Sequence, residues 1–207
     1  EAKRGRLYGI EIVPTPPSDF ARHCAEFGVS AIRAYDLPAA ALIAPHRPKG
    51  TPFVVSVHDV DPTRAPMVLP DADLWLPVSG ACAAFLRERG ADAAKISPFS
   101  NRVDLSIFKP VHDPIRRGAF EARFPGKRRI LHVGRHAPQK NQDGVVEALA
   151  RLGPDYVAIF VGKGDVAATK ALAEARGVLG RCHFVDAVPN AELAAFYSFC
   201  DVFCVPS

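Results

Sequence analysis

Apolar and polar positions along the chain alternate between two periods. Short runs of consecutive apolar residues read as strands buried on both faces: Phe53–Val57, 129–133, Tyr156–Val161 and Cys182–Val185. Further strands are expected at 29–34 and 202–205. Between the runs, apolar residues recur at helical spacing. Ser18 is placed to cap a helix with Phe20, Cys24 and Phe27 on one face, stopped by Gly28, and Ser79 a helix carrying Cys82, Phe85 and Leu86, ended by Gly90. Residues 36–44 and 165–176 read as helices. Val145, Val146, Leu149 and Leu152 form one apolar stripe, and Leu193, Phe196, Tyr197 and Cys200 another.

Strands that alternate with helices imply an α/β protein with parallel sheets. The segment 97–127 breaks the pattern. It carries Pro98, Pro110, Pro114 and Pro125 and has little periodicity, so it reads as the connection between two lobes. The expected division is a first lobe at 1–100, a connection at 101–127 and a second lobe at 128–207.

Composition narrows the class little. Apolar residues make up 48% and charged residues 23%, as in an ordinary soluble globular protein. No apolar run approaches the length of a membrane-spanning helix. The net charge of +4 is mild. Its small basic clusters, Lys3 to Arg6 and Lys127 to Arg129, could help docking on phosphates or on an anionic membrane surface, but solvated faces explain them more simply. No nucleic-acid partner is expected. The five cysteines form no CxxC pair and lie inside apolar segments, which points to reduced core thiols and a cytoplasmic setting.

Candidate chemistry concentrates at 130–141, ILHVGRHAPQKN. A strand ends at Gly134; Arg135 and Lys140 lie in the following loop; a helix begins near Asn141. A helix N-terminus offers free N–H groups and a partial positive charge, so this arrangement suits a phosphate. Arg135 can grip two phosphate oxygens and Lys140 adds a point charge. In parallel sheets ligands bind beyond the carboxyl ends of the strands. Loops 134–140, 162–165 and 186–188 all lie at such ends and are expected to face one crevice.

Six blocks in order then resemble the group 1 glycosyltransferases, retaining enzymes of the GT-B fold: FVVSVHD (53–59), DADLWLPVS (71–79), NRVDLSIFKP (101–110), VGRHAPQKN (133–141), IFVGKGD (159–165) and PNAELAAFYSFCDVFCVPS (189–207). Arg102 stands where the family usually has Gly, and Asp186 where Gly is common. The family's glutamate–seven residues–glutamate segment, which follows a Pro-Ser like Pro206-Ser207, is not in the sequence, and its opening strand is not recognisable before Tyr8. The chain therefore reads as an internal piece of a longer enzyme, with two Rossmann-like lobes that are both incomplete.

The resemblance implies transfer of a sugar from a nucleotide-diphosphate sugar, UDP or GDP type, to a saccharide or lipid-linked acceptor, in the cytoplasm or at the inner face of a membrane. It implies donor-diphosphate binding by Gly134, Arg135 and Lys140, contacts to the nucleotide by Gly162, Gly164 and the backbone of Ala187 and Val188, and a catalytic position for His58 in the first lobe. No cofactor or metal is expected, and the fragment is expected to self-associate and to lack turnover by itself.

Bland readings stand beside these. Arg135 and Lys140 could be surface cations, and His58 a satisfied polar group. Asn101 to Asp104 is read as a structural turn. Gly162-Lys163-Gly164, with Ala167 after it and Asp186 at the end of the next strand, also fits a dinucleotide fingerprint. That leaves a nicotinamide-dinucleotide-binding Rossmann protein, or a non-catalytic sugar-nucleotide binder, as alternatives.

Overall fold

A computed structural model describes residues 5–7, 10–61, 63, 65–125 and 128–207. The basic clusters that begin at Lys3 and Lys127 lie partly outside those residues. The chain divides into two compact units, Glu1–Arg102 and Val103–Ser207.

The first unit runs β1 (Gly5–Leu7), β2 (Ile10–Ile12), α1 (Phe20–Glu26), β3 (Ile32–Ala34), α2 (Leu37–Ile43), β4 (Phe53–Val57), β5 (Leu74–Pro77) and α3 (Gly80–Glu88). β1 and β2 pair antiparallel as a hairpin. β3, β4 and β5 form a parallel sheet in that order. Ser97 and Phe99 prolong it, their N–H groups donating to the carbonyls of Trp75 and Pro77. Ile32, Ala34, Val55 and Trp75 pack on one side of this sheet with Cys24, Leu37, Ala40 and Leu86 from the helices.

Capping explains two of these helices. The Asp36 carboxylate accepts from Ala39 N at 2.7 Å, and the Ser79 hydroxyl from Cys82 N at 3.2 Å. Ser18 does not cap. It sits inside a 3-10 turn, Pro17–Asp19, and α1 begins two residues later with Phe27 largely exposed. The prolines at 16 and 17 fix the turn before Ser18 can act. Asp73 accepts from Phe53 N at 2.8 Å and pairs with Arg47, while Asp71 pairs with Lys95. Asp71 and Asp73 thus secure the join between β4 and β5.

The second unit runs α4 (Pro114–Arg123), β6 (Arg128–Val133), α5 (Gln142–Arg151), β7 (Tyr156–Val161), α6 (Ala167–Ala175), β8 (Cys182–Val185), α7 (Asn190–Phe199) and β9 (Val202–Phe203). The strands are parallel in the order β8-β7-β6-β9. Leu131, Ile159 and Val161 meet α4 and α7 on one face through Phe120, Phe124, Phe196 and Phe199. Ile130, Ala158 and Phe160 meet α5 and α6 on the other through Val145, Val146, Leu149 and Ala173. Burial on both faces is why β7 reads as an unbroken apolar run.

Helix α4 corrects the reading of 101–127 as connection alone. Asp113 accepts from Ile115 N and Arg116 N at 3.0 Å, and Pro114 occupies the first helical position. That position needs no N–H, so proline favours the helix there rather than breaking it. Phe120 and Phe124 are buried in the second unit. The cysteines are unpaired; burial pushes the Cys182 thiol up to about 11 and the Cys200 thiol up to about 12.

Candidate functional site

The second sheet has a point where strand order reverses. The chain moves outward from β6 to β7 and β8, then returns to lay β9 on the other side of β6. Loops from neighbouring strands diverge at such a point and leave a crevice beyond the carboxyl ends. Here those loops are 134–141, after β6, and 204–207, after β9.

Two side chains tie these loops together. Asn141 donates through Nδ2 to the Pro206 carbonyl at 3.2 Å, and its Oδ1 accepts from Gly144 N at 3.1 Å to cap α5. It does so in the left-handed region, φ 50° and ψ 45°. A Cβ at residue 144 would lie within 3.1 Å of three Asn141 side-chain atoms, so Gly144 makes room for the cap. His132, 1% exposed, lies 2.9 Å through Nδ1 from the Cys204 carbonyl. A carbonyl only accepts, so Nδ1 carries the proton and Nε2 presents a lone pair. Nε2 is buried without a hydrogen-bond partner. Burial holds the His132 pKa below its ordinary value, with the charge of Lys140 acting the same way against the hydrogen bond to Cys204.

Arg135 is exposed and Lys140 half-buried, at opposite ends of this loop. Lys140 closes a 3-10 turn, Pro138–Lys140, and Gln142 Nε2 donates to the Arg135 carbonyl at 2.8 Å. The Lys140 stem lies over Gly134: a Cβ there would meet Lys140 Cγ and Cδ at 3.7 Å and His132 Nε2 at 3.5 Å. These are ordinary contact distances, so packing alone does not require glycine at 134.

Gly162 and Gly164 differ. A Cβ at 162 would lie 1.9 Å from the Gly134 carbonyl oxygen, and one at 164 would lie 2.6 Å from the His136 oxygen. The ladder continues past the strands here, with Gly134 N donating to Val161 O at 3.0 Å and His136 N to Lys163 O at 2.7 Å. Both glycines therefore let the β7 loop pack on the β6 loop. The space a dinucleotide pyrophosphate would need above them is filled by the chain's own backbone. Ala187 and Val188 follow β8 at the far edge of the sheet, Ala187 exposed and Val188 half-buried.

Beside the loop is a cavity of about 350 Å³ lined by His136, Asn141, Asp143, Asp165 and Thr169 among others. Its lining includes the Asp143 and Asp165 carboxylates but neither Arg135 nor Lys140. His58, in the first unit, follows β4, is exposed, and stacks on Tyr35 with centroids 6.3 Å apart and planes 12° apart.

Residues 118–207 match the family model for glycosyl transferases group 1. The matched residues make up most of the second unit. The chain is also 33% identical over 129 residues to a D-inositol 3-phosphate glycosyltransferase of Corynebacterium glutamicum, a match covering 56% of this chain and 31% of that protein. Its structure resembles that of Anabaena HepE in complex with UDP-glucose, with TM-score 0.76 at 19% identity over 92% of this chain and 56% of that one. It resembles a sucrose-phosphate synthase of Thermosynechococcus elongatus with TM-score 0.78 at 20% identity, over 92% and 53%. The chain thus spans about a third of the curated relative and about half of these structures. At these identities the structures establish the fold, which is that of GT-B glycosyltransferases: two parallel-sheet, Rossmann-like units, each incomplete in this chain.

The sequence singled out Arg135 and Lys140 but neither His132 nor His136, whose Nε2 and Nδ1 are buried without a hydrogen-bond partner among the described residues. The signal for His132 was a lone polar residue inside the run ILHV. The bridging role of Asn141 had no local signal, because Pro206 is distant in sequence.

Proposed function

We propose that the chain is the donor-binding part of a retaining glycosyltransferase that moves a sugar from a nucleotide-diphosphate sugar to a saccharide or lipid-linked acceptor hydroxyl. The observation that carries this is the strand-order reversal at β6, where the cation-bearing loop 134–140 and the loop after β9 are joined by Asn141 and His132. The names of two similar proteins agree: one structure holds UDP-glucose, and the curated relative is a glycosyltransferase.

Breaking the glycosidic bond leaves negative charge on the departing diphosphate. Arg135 and Lys140 stabilise it as it develops, from a site whose charges are already in place. Gly134 admits the phosphate close to the backbone. Gly162 and Gly164 hold the β7 loop against residues 134–136, and the backbone of Ala187 and Val188 contacts the base. His58 acts beside the reacting sugar. This chemistry needs no resident cofactor, because the charge is supplied by the two side chains.

The test is calorimetry on the 207-residue chain with UDP, GDP, uridine and NADH. UDP or GDP should bind more tightly than uridine. Arg135→Ala and Lys140→Ala remove charge-assisted hydrogen bonds worth roughly 1.5–3 kcal/mol each, so each should weaken diphosphate binding about ten- to a hundredfold. Uridine binding should not change. Equal losses for UDP and uridine, or preferential binding of NADH, would overturn the reading.

A further inference from the structure

Strand β8 ends the second unit's sheet on the side away from β9, and among the described residues no strand pairs with its outer edge. Gly162 N donates to Val185 O at 3.0 Å, so the Val185 carbonyl faces β7. In a parallel ladder the N–H and C=O of one residue point to the same side, and those of the next residue to the other. The N–H and C=O of Phe184 therefore point outward, as does the Cys182 carbonyl, while the Cys182 N–H is turned back to Leu179 O. Proteins commonly blunt a strand edge with lysine, proline or a bulge. Cys182–Val185 carries neither residue and keeps regular register with β7 over its whole length.

This edge lies in an open groove of about 490 Å³ with a cation on each side. On one face His183 packs edge-on against Phe124, centroids 5.4 Å apart, and the Arg123 guanidinium at the end of α4 lies 4.9 Å from the Phe124 centroid. On the other face Phe184 joins the core under α5 and α6, and Lys170 Nζ of α6 lies 5.3 Å from its centroid. Arg123 and Lys170 are exposed, and no carboxylate lines the groove among the described residues. A second copy of this edge, paired face to face with the first, would set Arg123 and Lys170 against their own counterparts, and like charges opposite each other destabilise a pairing. A strand bearing carboxylates suits the same groove. Successive side chains of a strand point to opposite faces, so two adjacent acidic residues would meet Arg123 on one face and Lys170 on the other.

We infer that the outer edge of β8 is a docking site for an extended acidic segment of another protein, which joins the sheet as a further strand with neighbouring carboxylates at Arg123 and Lys170. Main-chain bonds to Phe184 and to the Cys182 carbonyl supply the pairing, and the two cations select the sequence. The site lies within the second unit and does not depend on the proposed function.

The test mixes the 207-residue chain, isotope-labelled at its backbone nitrogens, with the peptide acetyl-Thr-Val-Glu-Asp-Val-Thr-amide and with a neutral control in which Gln-Asn replaces Glu-Asp. Fluorescence anisotropy of the labelled peptides reads affinity, and hydrogen exchange reads the Phe184 amide. The acidic peptide should bind about threefold or more tighter than the control, lose that advantage at high salt, and slow exchange of the Phe184 amide. Arg123→Gln and Lys170→Gln should each weaken the acidic peptide about two- to fivefold and leave the control unchanged. Both side chains are exposed, so the unfolding midpoint should hold in each variant. The proposal falls if neither peptide binds at millimolar concentration, if both bind equally, if the substitutions weaken both alike, or if the acidic peptide binds while the Phe184 amide exchanges as before. Protection of that amide that grows with protein concentration, without peptide, would assign the edge to a second copy of the chain and overturn the acidic partner.

Discussion

Asn141 holds the Pro206 carbonyl at 3.2 Å with one end of its amide and the first turn of α5 with the other, from a left-handed backbone conformation. One side chain thus joins the loop after β6 to the segment after β9. Alanine at 141 loses the cap, worth about 0.5–2 kcal/mol, and keeps a left-handed backbone that costs alanine roughly 1–2 kcal/mol. Glycine loses the side chain but adopts that backbone freely. Asn141→Ala should therefore destabilise the chain more than Asn141→Gly in urea unfolding. The opposite order would mean that the backbone strain is not real.

The three glycines of the crevice should behave differently. Gly162→Ala and Gly164→Ala force a Cβ onto the backbone of Gly134 and His136, at 1.9 and 2.6 Å. Each should cost several kcal/mol, on the order of 3 or more, because two loops must separate. Gly134→Ala meets its neighbours only at 3.5 Å and beyond, so it should leave the melting temperature nearly unchanged. It should still weaken UDP binding if phosphate approaches the Gly134 backbone. Thermal melts and UDP calorimetry on the same three variants separate packing from ligand approach.

How far the sequence led depended on how local the cause was. Apolar runs bounded β4, β6, β7 and β8 closely; β7 is unbroken because both its faces are buried, while Ser56, His132 and His183 interrupt the others. Ser79 was legible as a cap because the stripe Cys82, Phe85 and Leu86 follows it, and its hydroxyl does accept from Cys82 N. Pro114 misled, because proline starts a helix as readily as it ends one, and only the Asp113 carboxylate beside it tells the two apart. Gly162 and Gly164 misled for another reason. Their spacing matches a phosphate cradle, but what fills the space above them is the backbone of residues 134–136, from a different βα unit. The placing of Arg123 and Lys170 on either side of β8 had no sequence signature, since they come from two separate helices.

Stability should fall as the solution is acidified through the histidine range. Burial holds the pKa values of His132, His136 and His183 below the ordinary 6.5. The unfolded chain therefore binds protons near pH 6.5 that the folded chain refuses. The stability is fully present above 6.5 and is lost as pH drops below it. The lowered carboxylates Asp73, Asp104 and Glu147 add to the loss only at lower pH, below their ordinary values near 4. Urea midpoints between pH 7.5 and 5 should decline, and His132→Gln should flatten the slope. A flat profile for the unsubstituted chain would contradict the buried, neutral state of these rings.

Chelation should leave donor binding unchanged. In the proposed site Arg135 and Lys140 supply the charge opposite the diphosphate, and Asp71 and Asp73 are engaged with Arg47, Lys95 and the Phe53 N–H. UDP affinity measured with EDTA should equal that measured with manganese. A large gain with manganese would show that a divalent ion takes over part of the role assigned to the two side chains.

The edge strand β9 should drive association. Val202 and Phe203 are each 52% exposed, and Phe203 packs edge-on against Tyr197 at 5.0 Å. Among the described residues β9 pairs with β6 on one side and is the last strand of the sheet on the other. An apolar edge with free backbone groups is a template for pairing with another chain. Sedimentation should show self-association of the 207-residue chain that grows with concentration. Val202→Lys places a charge on that edge and should shift the chain toward monomer, without changing the unfolding free energy of the monomer by more than about 0.5 kcal/mol. If Val202→Lys leaves the association constant unchanged, the contact lies elsewhere, and the exposed edge is not what brings the chains together.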